Sequence, residues 1–236
     1  MKNRLTAIAT LGLLSFASQA IAADLPVKAI PPAAIAAPMW SGFYFGGQAG
    51  FSWATADFTH TNTSGFVENF SFDPRSVVGG GHIGLQRQWD TWVLGAEASF
   101  DFANLDQTKT SVLRPPSFKT FELNDMVTIV GKVGYAANNW LVYVKGGWAD
   151  AYIRTLGTNP LNGVTADPRE WAGGWTVGGG LDYLLTTNWI AGVDFNYYGI
   201  EFNRSAVATN GLITTWSNAN ANVYAVTGRI SYKFDF

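Results

Sequence analysis

One set of side chains in the connecting segments has the residue types of a nucleophilic site: His60, with Asp57 before it and Ser64 and Ser71 after it. Such chemistry needs base and nucleophile within hydrogen-bond reach. The spacing here follows no known catalytic motif, so no enzyme is expected. Gly79-Gly80-Gly81-His82-Ile83-Gly84 matches G-x-G-x-x-G letter by letter. A dinucleotide site requires those glycines to open a helix whose amino-terminus holds the pyrophosphate. These residues instead run on in strand-like alternation to Asp90, which makes the match accidental. His60 and His82 are the two histidines, and there is no cysteine. Two separate histidines do not make a metal site. A haem iron needs a single axial ligand from the protein, and His60 is the one candidate, read here as a solvated loop residue. No catalytic, cofactor or metal residue is therefore expected.

The remaining chemistry is charge, and its positions follow a period of two. Side chains alternate across a strand, so such a period separates an apolar face from a polar one. Phe43, Phe45, Phe51 and Trp53 oppose Gly46, Gln48 and Ser52; Ile83, Leu85 and Trp89 oppose His82, Gly84 and Gln86. The same holds for six further stretches, around Trp92–Asp101, Val127–Tyr135, Trp140–Trp148, Trp171–Tyr183, Trp189–Tyr197 and Tyr224–Phe236. Each is close to the roughly 9–11 residues with which a tilted strand crosses a bilayer. Arg87, Asp125 and Asp150 fall on the apolar parity near strand ends, where a charge costs little.

The amino-terminal segment reads differently. Met1 to Arg4 is basic, Leu5 to Ala17 is apolar, and Ala20-Ile21-Ala22 is a signal-peptidase pattern. Residues 1–22 are expected to be a signal peptide and 23–39 a Pro/Ala-rich periplasmic tether, leaving residues 40–236 as the folded domain. With 15% aromatic, 14% charged residues and a net charge of -2, the chain carries no nucleic-acid footprint.

Connections alternate between short (Asp90-Thr91, Ala137 to Asn139, Leu185 to Asn188) and long and polar (Ala56 to Pro74, Ala103 to Thr120). That is the layout of an outer-membrane barrel with periplasmic turns and extracellular loops. The expected fold is all-β: an eight-stranded antiparallel transmembrane β-barrel with short periplasmic turns and four long extracellular loops. Trp89, Trp92, Tyr135, Trp140, Tyr183 and Trp189 flank the short turns and are expected to form the periplasmic-side aromatic girdle. Trp53, Phe100, Trp148, Trp171 and Tyr197 form the outer one. The barrel closes because an unpaired backbone group in hydrocarbon costs several kcal/mol.

Glu97, Asp101, Lys132, Lys145, Asp182, Asp194, Arg229 and Lys233 have the inward parity, as does Asp235 near the chain's end. An eight-stranded barrel is about wide enough for side chains to fill. The first eight are expected to plug the lumen as an ion network, with a narrow pore for small solutes as the alternative. Phe66, Phe70, Phe72, Phe118, Leu161 and Trp216 are apolar within polar loops and serve either as exposed binding anchors or as a lid folded over the mouth.

The chain resembles the small alphaproteobacterial outer-membrane barrels, the porin-family or immunogenic surface proteins. The residues that carry the resemblance are Ala23-Asp24-Leu25-Pro26, Trp40-Ser41-Gly42-Phe43-Tyr44, Val133-Gly134-Tyr135-Ala136, Gly174-Trp175-Thr176-Val177-Gly178-Gly179-Gly180 and Tyr232-Lys233-Phe234-Asp235-Phe236. Members of that family tend to carry a basic residue where this chain has Val130. The resemblance implies an integral outer-membrane location and an assembly signature in Tyr232, Phe234 and Phe236 read by the barrel-insertion machinery. Some members bind haemin. Outer-membrane lipid is the expected partner, together with an extracellular ligand or host surface met by the loops. The expected function is structural: envelope integrity and loop-mediated surface interaction.

Overall fold

The computed structural model describes residues 40–211 and 213–235, with the side chains of Asn203 and Arg204 excepted. The expected signal peptide, the tether and Phe236 of the assembly signature lie outside the described residues. The chain forms β1 (Gly42–Asn62), β2 (Val67–Phe72), β3 (Arg75–Trp89), β4 (Trp92–Thr110) and β5 (Phe118–Ala137). It continues through β6 (Trp140–Asn159), β7 (Val164–Ala166), β8 (Arg169–Leu184), β9 (Trp189–Val207) and β10 (Ile213–Phe234).

Eight of these close a ring in the order β1, β3, β4, β5, β6, β8, β9, β10, with β10 bonded back to β1 from Phe43↔Phe234 upward. Every neighbouring pair is antiparallel, as hairpin connections demand. At the lower end the turns are tight. Asp90 and Asn138 take φ of 56° and 53°, a left-handed conformation that Asp and Asn tolerate better than most residues. The turns also bond across to adjacent hairpins: Ala136 N donates to Thr91 O at 2.7 Å and Lys233 N to Asn188 O at 2.7 Å.

At the upper end the four long connections are present, and most of their length is strand. β1 has 21 residues and β10 has 22, about twice what a bilayer crossing requires. The β3–β4 ladder stops at Val78↔Ala103 and the β8–β9 ladder at Gly174↔Ile200. Above those points the ring divides into two sheets, upper β9-β10-β1-β2 and upper β4-β5-β6 with β7 and the start of β8. We call this part the crown. Both divisions coincide with an Asp-Pro pair. Asp73-Pro74 separates β2 from β3, and Asp167-Pro168 separates β7 from β8. Proline has no N–H to give a ladder; its carbonyl still accepts, from Ala54 N at 3.0 Å and from Thr155 N at 3.2 Å. Register shifts at Asp57/Thr59, Phe102/Leu105, Leu123/Asp125 and Trp216/Ala219 mark the same transition, consistent with bulges that re-aim a strand.

The outward face from Phe43 to Trp53 and its counterparts is apolar, and Phe51, Val77 and Val144 stand exposed there. Inside, three layers follow one another. Trp40, Val93, Leu141, Leu184 and Ile190 pack across the lower end. The crown encloses an apolar core that includes Phe58, Phe72, Leu105, Phe121, Ile153, Phe202 and Trp216. Between them lies the polar layer.

Candidate functional site

The polar layer is built from inward positions of β1, β4, β5, β6, β8, β9 and β10. Its centre is Glu97, whose carboxylate accepts from Arg229 Nη2 at 2.5 Å, Lys145 Nζ at 3.1 Å and the Tyr44 hydroxyl at 2.8 Å. Asp194 accepts from Lys145 Nζ at 2.5 Å, from the Tyr143 hydroxyl at 3.1 Å and from Asn196 Nδ2 at 3.0 Å. Lys132 donates to Asp182 Oδ2 at 3.1 Å and stands 3.9 Å from the centroid of the Tyr143 ring. Arg229 Nε lies 3.9 Å from the far oxygen of Asp182. Three carboxylates thus face three cations, all of them buried, with Asp194 and Lys132 at 0% and 2% exposed. An unpaired charge in such a place is costly, so the equal numbers matter.

Two of the eight expected members stand apart from this cluster. Asp101 has neutral partners, Gln48 Nε2 at 2.6 Å and Ser99 Oγ at 3.2 Å. Lys233 lies at the lower end, where it binds Asp235 and the Ser41 carbonyl at 3.3 Å; its strand position is simply too far down the barrel to meet Glu97. Two tyrosines join the network instead. Tyr44 has inward parity, and a Cβ on Gly84 would overlap its ring; Gly180 clears the same space for Tyr143. Parity was the signal for both. What parity did not carry was their reach across the lumen to acids on other strands.

The lower girdle residues meet in pairs, Trp92 with Tyr135 at 5.8 Å, Trp140 with Tyr183 at 4.6 Å and Trp189 with Tyr232 at 5.2 Å, and Trp89 faces outward under Arg87. Phe234 also faces outward, 5.9 Å from Phe45. The upper girdle includes Trp53 on Tyr224 at 5.7 Å and Trp175 on Tyr197 at 5.1 Å.

The expectation that His60 is a solvated loop residue is corrected. It lies in β1, above the membrane band, buried at 3% exposure, because its even-numbered position points into the crown. Lys119 Nζ donates to His60 Nε2 at 3.0 Å, which leaves the ring neutral with its proton on Nδ1. Burial, then Lys119 and Arg114, lower its pKa from 6.5 to about 3. Its Nε2 lone pair is taken up by Lys119. The His60, Asp57, Ser64 and Ser71 set does not assemble: Asp57 and Ser71 face out of the crown, Ser64 sits in the turn, and His60 faces in. Phe70, Phe72 and Trp216 likewise fold into the crown, whereas Leu161 is exposed.

At the crown's mouth all four upper connections contribute to a cleft with a free volume of about 100 Å³. Among the described residues, Lys119 and Arg114 are the charged ones lining it, beside Asn62, Asn159 and Asn162. Burial is the main cause that lowers the Lys119 pKa to about 8, partly offset by Glu68. Sequence reasoning missed this cleft, since turns separated by many residues converge on it only in the fold.

A closed antiparallel ring with an apolar outer band, aromatic girdles at two heights and a charged interior defines a transmembrane β-barrel. The chain belongs to the family of the outer membrane protein beta-barrel domain, whose model matches residues 8–235. Its location is the outer membrane. Among its relatives, the 25 kDa outer-membrane immunogenic protein of Brucella ovis is 29% identical over 197 residues, covering 80% of this chain and 86% of the relative. The 31 kDa outer-membrane immunogenic protein of Brucella melitensis biotype 1 is 28% identical over 236 residues, covering 93% and 95%. Among solved structures, the outer membrane protease OmpT from Escherichia coli aligns with a TM-score of 0.53 at 10% identity, over 83% of this chain and 98% of that one. That likeness is one of fold alone.

Proposed function

We propose that the protein is a non-enzymatic, surface-exposed structural component of the outer membrane, with a plugged lumen and with its contacts made through the crown. The observation that carries this reading is the polar layer: three buried carboxylates matched to three buried cations, with apolar packing both above and below. A conducting pore keeps its charges hydrated, whereas these have exchanged water for one another. The surface role is supported by relatives that are named immunogenic outer-membrane proteins. Within the same proposal, residues 1–22 are removed on export and 23–39 tether the barrel to the periplasm. Tyr232 and Phe234, on the lipid-facing side of β10, form with Phe236 the signature read during insertion.

Single-channel recording on the refolded protein in planar bilayers tests the reading. Silence from a protein shown to be folded is expected. Steady conductance steps that change with Lys132→Met or Asp194→Asn would replace it with a porin.

A further inference from the structure

The cleft at the crown's mouth gathers hydrogen-bond donors from separate turns. In each of three turns the asparagine side-chain oxygen is already engaged. Asn62 Oδ1 accepts from Ser64 N and Phe66 N at 3.0 and 3.1 Å. Asn159 Oδ1 accepts from Leu161 N at 3.0 Å and Asn162 Oδ1 from Val164 N at 3.1 Å. Because a backbone N–H can only donate, these amides are oriented with oxygen towards the turn and the NH₂ group left over. All three line the cleft. Beside them are Lys119, whose ammonium keeps two protons after bonding His60, and Arg114, whose guanidinium lies 4.6 Å over the Phe66 ring and has no carboxylate partner among the described residues. No acid lines the cleft among the described residues. The acid that faces Lys119, Glu68, has its carboxylate committed to Ser111 Oγ at 2.5 Å and to Val112 N and Leu113 N at 2.8 and 3.3 Å.

From these donors we infer that the crown cleft is a binding site for a compact oxyanion, a phosphate or sulfate group, held by Lys119 and Arg114 and by the amide NH₂ groups of Asn62, Asn159 and Asn162. Charge-assisted bonds from two cations give the affinity, and the three amides give the donor-rich surround that such a group needs. Size sets the class. The cleft is small, with about 100 Å³ of free space. It is several times smaller than the ~300–1,000 Å³ of a pocket for a drug-sized molecule. The group is either a free ion or the substituent of a sugar whose remainder stays in solvent. The site goes beyond the plugged-barrel reading, since a conducting barrel could carry the same crown.

The test uses the full barrel in detergent micelles, with its asparagine side-chain amide resonances followed by NMR. Inorganic phosphate, inorganic sulfate and glucose 6-phosphate are titrated against sodium chloride at matched ionic strength. Saturable shifts at Asn62, Asn159 and Asn162 are expected. Lys119→Met and Arg114→Met should each weaken binding about tenfold or more, the loss of one charge-assisted contact. Arg87→Met, on the outer wall near the lower end, should leave it unchanged. Binding of sulfate, whose own charge is constant, should fall as pH rises through about 8, where Lys119 loses its proton. Preference for the inorganic ions points to a free ligand; equal or tighter binding of the sugar phosphate points to a headgroup. Absence of saturable shifts with all three probes, or shifts that survive in both variants, overturns the assignment.

Discussion

Replacing Lys132 by Met removes the cation paired with Asp182 while keeping nearly the same side-chain length. Among the described cations Asp182 would then retain Arg229 alone, at 3.9 Å and already bonded to Glu97. Three buried carboxylates would face two cations. Breaking a buried pair by removing one partner costs about 3–5 kcal/mol, and loss of the ammonium over the Tyr143 ring acts in the same direction. Set against the ~5–15 kcal/mol of a typical folded domain, that is a large fraction. Guanidinium unfolding of the protein in lipid vesicles, followed by tryptophan fluorescence, reads it as a lower midpoint. Asp182→Asn made together with Lys132→Met restores the balance of charges and should recover most of the loss. This double-mutant comparison isolates the pair from general damage to packing. Lys132→Met unfolding within about 0.5 kcal/mol of wild type, the range of an ordinary surface substitution, would refute the reasoning, because a hydrated Lys132 has nothing to lose.

Three further outcomes follow from the geometry. His60 should stay neutral in the folded barrel at pH 5, since its pKa is held near 3, whereas in the denatured chain it titrates near 6.5. Because the folded value is the lower one, its contribution to stability is complete above pH 6.5 and declines as pH falls towards 3. Imidazole NMR, with His60→Gln as the assignment control, checks it. Gly84→Ala should destabilise the barrel by displacing the Tyr44 ring from Glu97, and a lower unfolding midpoint in the same vesicle assay reads it. Arg154→Ala removes a crown-surface cluster with Glu122 and Asp167. With its charges partly solvated, the loss should stay within about 1 kcal/mol per pair in that assay.

The ring of eight strands was legible because period-two alternation carries both the strand and its orientation. A lipid-facing surface must be apolar at every second position, and each turn is flanked by tryptophan or tyrosine. Inward parity likewise placed Glu97, Lys132, Lys145, Asp182, Asp194 and Arg229 in the lumen. The crown was less legible. Its residues read as polar loops because no membrane enforces an apolar outer face there, and short runs such as Val67–Phe72 alternate too briefly to declare themselves.

By itself, then, the sequence determined which face of each strand meets lipid, since that depends on local spacing alone. Only the tertiary structure decided which charges meet. Parity gives Asp101 and Glu97 the same direction, yet their heights in the staggered ring bring one to Gln48 and the other to Arg229. The same holds at the mouth, where Asn62, Arg114, Lys119, Asn159 and Asn162 come together. Closure of the barrel, a property of all eight strands at once, brings those turns to one place.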